Sequence, residues 1–400
     1  MKEQKKIVLY GASLHNNLGG PSIYEGINQV LKDKYKTYSI TYVNDLGNSK
    51  HKIKGQKHYQ EILFSKDVIS TFFWIISVFF NSPIFLNKSQ KQIFRAIKTS
   101  DLTINCWGIA YSDKLRKRGI MSTIWPDMIA MLSKKNKVLT VHYTASFGPI
   151  KFGRTKYSIK KALNNYFDLI IARENRSKDE LLDKGIKTSI IVKPDTGLLL
   201  PIKKEIDWPA FDEDKKYIGI SVSYQMRKQW SNTIDYVEYI SQIANFLIKE
   251  TNCNIILFPN DFDENIIDDY TVAAEINKKI IDKSKVEIFE LYNFSASSFK
   301  YYISKCEIVV ASRYHTVVAS LSSKVPVFVI GWHYKYKELL SHFNQEQFFV
   351  DESGEEINTC NSRILELWKS REKNKKEIEA NWDKVVVNIL DVKLSPKLDE

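Results

Sequence analysis

Cysteine is scarce in this chain and poorly placed for covalent or metal chemistry. The 400 residues hold four, Cys106, Cys253, Cys306 and Cys360, with no C-x-x-C pair. That spacing writes neither a zinc site nor a dithiol redox motif. Cys106 and Cys306 fall in apolar, strand-like runs and read as buried thiols. A secretory signal is also missing: Met1 to Lys6 leads straight into Ile7-Val8-Leu9-Tyr10, without a longer apolar stretch and a cleavage site. A cytoplasmic protein is therefore expected. There is no internal repeat, heptad register or low-complexity tract, which excludes solenoids and coiled coils.

What is present in excess is positive charge, +12 in all with a pI of about 9.1. The cations are spread through the chain and not interleaved with aromatics, so nucleic acid is not the expected partner. A small phosphorylated ligand or anionic lipid fits better, although a Lys-, Asn- and Ile-rich composition alone would give the same balance. Hydrophobic residues at 44% and charged residues at 26% point to a folded chain. Its length calls for two domains.

One uncharged stretch, residues 68 to 87, holds Phe72-Phe73-Trp74-Ile75-Ile76 and Val78-Phe79-Phe80. Asn81-Ser82-Pro83 interrupts it, so the apolar part falls short of the roughly 20 residues a span needs. It reads first as a buried core helix. A helix lying on the inner face of a membrane is the second reading, with Lys66, Lys88, Lys91 and Arg95 beside it.

Strand and helix signals alternate along the chain. Strands are expected at 6–12, 101–107, 137–143 and 167–172, and a helix from Ser22 to Leu31. An aperiodic stretch with two prolines, Pro201 to Pro209, then reads as a linker. Beyond it come strands at 217–223, 254–258, 286–289 and 307–311, with helices at 232–250, 265–283 and 296–304 between them. Helices are expected again from Ser362 to Leu390. This is the rhythm of βα units in an α/β protein with parallel sheets. The expected division is an N-terminal α/β domain over 1–205, a C-terminal one over 206–350 and a helical tail over 351–400.

The chemistry concentrates after the strand Glu307-Ile308-Val309-Val310-Ala311. Ser312-Arg313-Tyr314-His315 forms the turn, and Thr316 to Leu321 opens a helix whose free N–H groups face the same place. Arg313 offers a planar fork for carboxylate or phosphate, and His315 exchanges protons near neutral pH. Lys335, beyond the strand Val325 to Ile330, adds a second cation. A plainer reading also stands: Arg313 in a salt bridge and His315 capping the helix.

The run from Ala311 to Leu340 resembles the C-terminal signature of the polysaccharide pyruvyl transferase family. The matching residues are Ser312-Arg313-Tyr314-His315, Lys324-Val325-Pro326 and Ile330-Gly331-Trp332-His333-Tyr334-Lys335-Tyr336-Lys337-Glu338-Leu339-Leu340. Asn16-Asn17-Leu18-Gly19-Gly20 is similar to the family's first loop, and Arg173-Glu174-Asn175-Arg176-Ser177 to its Arg-Glu-x-x-Ser helix. Pro194-Asp195 and Phe258-Pro259-Asn260 match further strand ends. Pro21-Ser22 and Trp107 to Asp113 depart from the pattern. Residues 50–100 and those after 350 fall outside it.

The resemblance implies a GT-B-like fold, two doubly wound Rossmann-like domains facing a central cleft. It also implies phosphoenolpyruvate as donor and a sugar or lipid-linked glycan as acceptor, joined as a ketal. Such a donor carries a carboxylate and a phosphate, so several cations must surround it. Arg313 is expected to clamp it and His315 to move the proton, with Lys335 as second cation. Arg173, Arg227, Asn17 and Gly19 are the further substrate-binding candidates. No metal or other cofactor is called for. Two alternatives are a glycosyltransferase using a nucleotide-sugar donor and a non-catalytic scaffold at the membrane.

Overall fold

The computed structural model describes residues 4–14, 17–44, 59–64, 67–111, 120–150, 153–205, 207–261, 268–290 and 294–394. Asn16, Lys66, Ser112, Asp113 and the start of the helix expected from 265 lie outside them. The first half builds one parallel sheet from β1 (Lys5–Tyr10), β2 (Tyr38–Asn44), β3 (Gln60–Leu63), β4 (Leu102–Asn105), β5 (Ile109–Ala110), β6 (Leu139–Phe147), β7 (Leu169–Ala172) and β8 (Ser189–Val192). Their order is β3-β2-β1-β4-β6-β7-β8, with β5 on β6. The helices between them are α1 (Gly19–Lys34), α2 (Val68–Phe80), α3 (Lys88–Lys98), α4 (Ile120–Lys135), α5 (Gly153–Tyr166) and α6 (Asn175–Asp183).

The second half repeats the plan. Its sheet has the order β11-β10-β9-β12-β13-β14. The strands are β9 (Tyr217–Ser221), β10 (Asn254–Phe258), β11 (Val286–Ile288), β12 (Cys306–Ala311), β13 (Val327–Ile330) and β14 (Phe349–Val350). The helices are α7 (Tyr224–Gln229), α8 (Tyr236–Thr251), α9 (Asp269–Lys279), α10 (Ala296–Ile303), α11 (Tyr314–Ser322) and α12 (Lys335–Ser341). Then follow α13 (Ile357–Lys369) and α14 (Arg371–Leu390). All pairings in both sheets are parallel, so the carboxyl ends of each set of strands share one side.

Side chains of β1 alternate between two cores, as strand geometry requires. Ile7 and Leu9 join a large cluster that continues through Leu198 and Leu200 to Ile220 and Val310, so one apolar seam links both sheets. Val8 and Tyr10 join a second cluster with Trp74, Val78, Phe94 and Leu132 from α2, α3 and α4. Residue Lys300 fastens the seam: its buried ammonium donates to the Leu200 carbonyl at 2.5 Å. Burial drives that amine down to about 7.

The tail is not a separate appendage. Trp382 of α14 lies under the Lys324 ammonium at 3.7 Å and stacks with Phe343 at 6.4 Å. Further along, Asn388 accepts from Lys193 at 3.2 Å, and the helix packs on α1. The last helix therefore touches both halves.

The 68–87 stretch needs a correction. Helix α2 is capped by Asp67 and ended by Asn81 in a left-handed conformation. It buries Trp74, Ser77 and Val78 but exposes Val68, Ile69, Phe72, Phe79 and Phe80. A core helix describes only one of its faces. Among the described residues, no helix is long and apolar enough to cross a membrane.

Candidate active site

The carboxyl ends of the two sheets face each other through six segments. From the first half come the β1–α1 loop, the end of β6 with Ser146, the turn after β7 with Arg173 and Glu174, and Asp195 before a short 3-10 turn, Thr196–Leu199. Strand β6 slips register between His142 and Ala145, and Thr144 there adopts a φ of 44°. This bulge leaves the Thr144 and Thr196 hydroxyls 3.3 Å apart at the cleft. The second half brings Ser312 to His315 and, from the start of α12, Lys335.

Arg173 organises the centre. Its guanidinium donates to the Asp195 carboxylate, to the Gly108 carbonyl and, at 3.0 Å, to Ser146 Oγ. The same plane lies over the Tyr314 ring at 4.8 Å, so a first-half cation is stacked on a second-half aromatic. Glu174 accepts from Ser146 at 2.5 Å and Ser177 at 2.7 Å. Burial works against the Asp195 carboxylate, but Arg173 and His315 hold it below the usual range. Burial prevails at Glu174, whose carboxyl is raised despite Arg173.

Three buried nitrogen centres here lack acceptors. The Nε of Arg173 makes no hydrogen bond, with Glu174 3.9 Å away. The His315 Nε2 has no partner. Lys335 is 4% exposed, and its ammonium sits 4.7 Å from the Tyr314 ring centroid with no hydrogen bond or ion pair among the described residues. Burial, and Arg173 after it, push the Lys335 amine down to about 7. Burial drives the His315 imidazole down to about 3. Unpartnered buried donors are costly in a folded protein, and a bound anion would satisfy them.

Arg313 is placed differently from this trio. Its fork closes on Asp269, with Nε to Oδ2 at 2.6 Å and Nη2 to Oδ1, and Asp261 lies 3.5 Å from Nη2. Asp269 is itself pinned by the backbone N–H groups of Tyr224, Asn260 and Asp261. Nη1 of Arg313 makes no hydrogen bond among the described residues. Thus Arg313 stands in a salt bridge with one edge uncommitted, while its neighbour His315 reaches the trio.

The first loop meets this motif directly. Asn17 accepts from the Gly20 N–H at 2.9 Å, and Leu18 donates to the Asn260 carbonyl at 3.1 Å. Gly19 lies so close to His315 that a Cβ there would sit 2.5 Å from the imidazole Cε1. Arg227 is not brought in: on α7 it pairs with Glu275 of α9 at 2.9 Å. His142 is a core residue, packed among Phe147, Phe167 and Tyr111 with neither ring nitrogen bonded. Sequence reasoning singled out neither Ser146, Tyr314 nor Asp269. Asp269 sits beside the α9 cap Asp268 and reads as ordinary helix-start chemistry.

Beside the trio a cavity of about 290 Å³ opens, lined by Phe147, Arg176, Glu180, Trp332, Tyr334 and Asp351. Arg176 lies over the Tyr334 ring at 4.2 Å, and the Tyr334 hydroxyl donates to the Phe147 carbonyl at 3.0 Å. The cavity thus borders both halves.

Two facing parallel sheets with a charged seam at their carboxyl ends define a protein of the GT-B fold class. Solved structures agree on the fold. The Anabaena protein HepE, in complex with UDP and glucose, is 12% identical with a TM-score of 0.54, covering 96% of this chain and 95% of that one. An E. coli trehalose-6-phosphate protein bound with UDP-2-fluoro glucose is 10% identical with a TM-score of 0.53, covering 96% of each chain. The UDP-GlcNAc 2-epimerase of Methanocaldococcus jannaschii is 13% identical with a TM-score of 0.52, covering 98% of this chain and 94% of that one. Among curated proteins, none matches the sequence. The polysaccharide pyruvyl transferase family model matches residues 10–334, and the chain belongs to that family.

Proposed function

We propose that this chain moves the pyruvyl group of phosphoenolpyruvate onto two hydroxyls of one sugar, in a surface polysaccharide or its lipid-linked precursor at the inner face of the membrane. The observation that carries this reading is a buried cluster around one tyrosine ring: the unbonded Nε of Arg173, the unbonded Nε2 of His315, and the Lys335 ammonium over the ring with no ion pair among the described residues. A ligand with both carboxylate and phosphate supplies what they lack.

Lys335 and the uncommitted edge of Arg313 hold the donor's negative charge, and Arg173 fixes Tyr314 and Asp195 around it. The neutral His315 imidazole takes the proton of the attacking hydroxyl as bound negative charge raises its affinity for protons. Two C–O bonds form at C2 and the C2–phosphate bond breaks. One hydroxyl proton ends on the methylene carbon, making it a methyl group. The other leaves with phosphate. The sugar sits in the neighbouring cavity, where Trp332 and Tyr334 offer ring faces and Glu180 and Asp351 offer acceptors.

The test is incubation with phosphoenolpyruvate and a panel of sugar acceptors, read by phosphate release and by mass for the ketal. His315→Gln is expected to lower kcat by about 10² to 10⁴. Unchanged turnover in that variant would remove His315 from the chemistry. The structural likeness to proteins solved with UDP and UDP-2-fluoro glucose supports a second reading, glycosyl transfer from a nucleotide sugar. A thermal shift with UDP-sugars and none with phosphoenolpyruvate would select it.

A further inference from the structure

Helix α2 is apolar on both faces, yet the fold uses only one. At 100° per residue, Val68, Phe72 and Phe79 fall nearly in line, with Ile69 and Phe80 beside them. Trp74, Ser77 and Val78 occupy the opposite arc and are buried. The outer residues stand open to solvent, Val68 by 82%, Ile69 by 69%, Phe72 by 58%, Phe79 by 63% and Phe80 by 65%. Phe85 of the following loop is 76% exposed and packs on Phe73 at 5.3 Å, which widens the patch.

The charge around this patch is predominantly positive, with the exposed cap Asp67 as the acid at its start. Residues 68 to 100 include Lys88, Lys91, Arg95 and Lys98 and no Asp or Glu. The Gln90 side chain donates to the Ser70 carbonyl at 2.9 Å, so α3 and its exposed cations start beside the first turn of α2. At the other end Asn81 and Asn136 exchange hydrogen bonds at 3.3 and 3.0 Å. There Lys135 lies over the Phe79 ring at 5.2 Å, with Lys137 exposed two residues on. A convex apolar ridge is thus framed at both ends by cations.

A second copy of the chain would press this excess of like charge against itself. A bilayer with anionic headgroups answers both features, taking rings into the acyl boundary and pairing cations with its surface. We infer that α2 and the loop after it lie in the interface of an anionic membrane, with Phe72, Phe79, Phe80 and Phe85 facing the acyl chains. Helix α2 follows β3 at the carboxyl end of the first sheet, the end that carries Arg173 and the first loop. The helix then runs to Asn81 beside Asn136, at the amino end of β6, so docking lays the outer flank of the first sheet on the lipid surface. This surface does not depend on which reaction the cleft performs.

The full chain is mixed with phosphatidylcholine vesicles, with or without phosphatidylglycerol, and sedimented. It is expected to pellet with the phosphatidylglycerol vesicles, less so as salt rises. The triple change Phe72→Ser, Phe79→Ser and Phe80→Ser is expected to weaken binding by about a hundredfold or more. Lys91→Gln, Arg95→Gln and Lys98→Gln together leave the apolar ridge intact and are expected to cost about a hundredfold on anionic vesicles alone. That second variant keeps the test alive should the first not fold. Wild-type protein left in the supernatant, or both variants pelleting as wild type does, would overturn the inference. So would a concentration-dependent dimer, by light scattering, that the phenylalanine changes abolish.

Discussion

Lys335 makes a prediction with two opposite signs. Moving its ammonium from the ordinary 10.5 to about 7 penalises the charged form. At about 1.4 kcal/mol per pH unit, that penalty is about 4 to 5 kcal/mol. Lys335→Met keeps the apolar stem against Tyr314 and removes the charge. The variant should therefore be more stable than the parent at pH 7, by a few kcal/mol at most. The folded-state value lies below the unfolded one, so between pH 7 and about 10 the unfolded chain binds more protons. Wild-type stability accordingly rises with pH across that window, and the Met variant lacks this rise. Donor binding should move the other way. As pH climbs above 7 the amine loses its proton and protection by phosphoenolpyruvate fades, by up to about tenfold in Kd per pH unit. Urea melts from pH 6.5 to 9.5, with and without phosphoenolpyruvate, read both effects. A Met variant less stable than wild type, or one that the donor protects as well, would refute the reasoning.

Asp269→Asn should strip Arg313 of its paired charge and cost about 3 to 5 kcal/mol, measured by denaturant unfolding. Gly19→Ala should displace His315, because the added methyl meets the ring at 2.5 Å; kcat is expected to fall more than the thermal midpoint does, and equal activity would place the imidazole elsewhere during turnover. Arg227→Ala removes a half-exposed pair with Glu275 and should change stability by less than about 1 kcal/mol, with KM for the donor unmoved. A raised KM in steady-state assays would return Arg227 to the site.

The strands legible in the sequence are those buried on both faces, because they read as unbroken apolar runs. The expected segments at 6–12, 101–107, 167–172, 217–223 and 307–311 match β1, β4, β7, β9 and β12 closely. Strand β3 was not marked and β8 only through the strand end at Pro194-Asp195; both are edges of the first sheet with partly exposed residues. Strand β2 interleaves Tyr, Ser and Thr with its apolar positions, which breaks the run. At the site, Arg313, His315, Arg173 and Lys335 carry recognisable side-chain chemistry and could be named from the chain. Their partners could not. The Arg313–Asp269 pair joins residues 44 apart, and Tyr314 becomes the floor for Arg173 only when the two sheets meet. Helix α2 was left between a core helix and a surface one for a related reason: hydrophobicity alone does not say which side of a helix the rest of the chain covers.

The last helix gives the two halves a common mechanical axis. Its first turn is anchored by Arg371 on Glu307, its middle by Trp382 under Lys324, and its end by Asn388 on Lys193. Separating the halves at this helix would break contacts at both of its ends. The tail thus works as a strap across the two halves, and trimming it would leave the apolar seam to hold the cleft walls together.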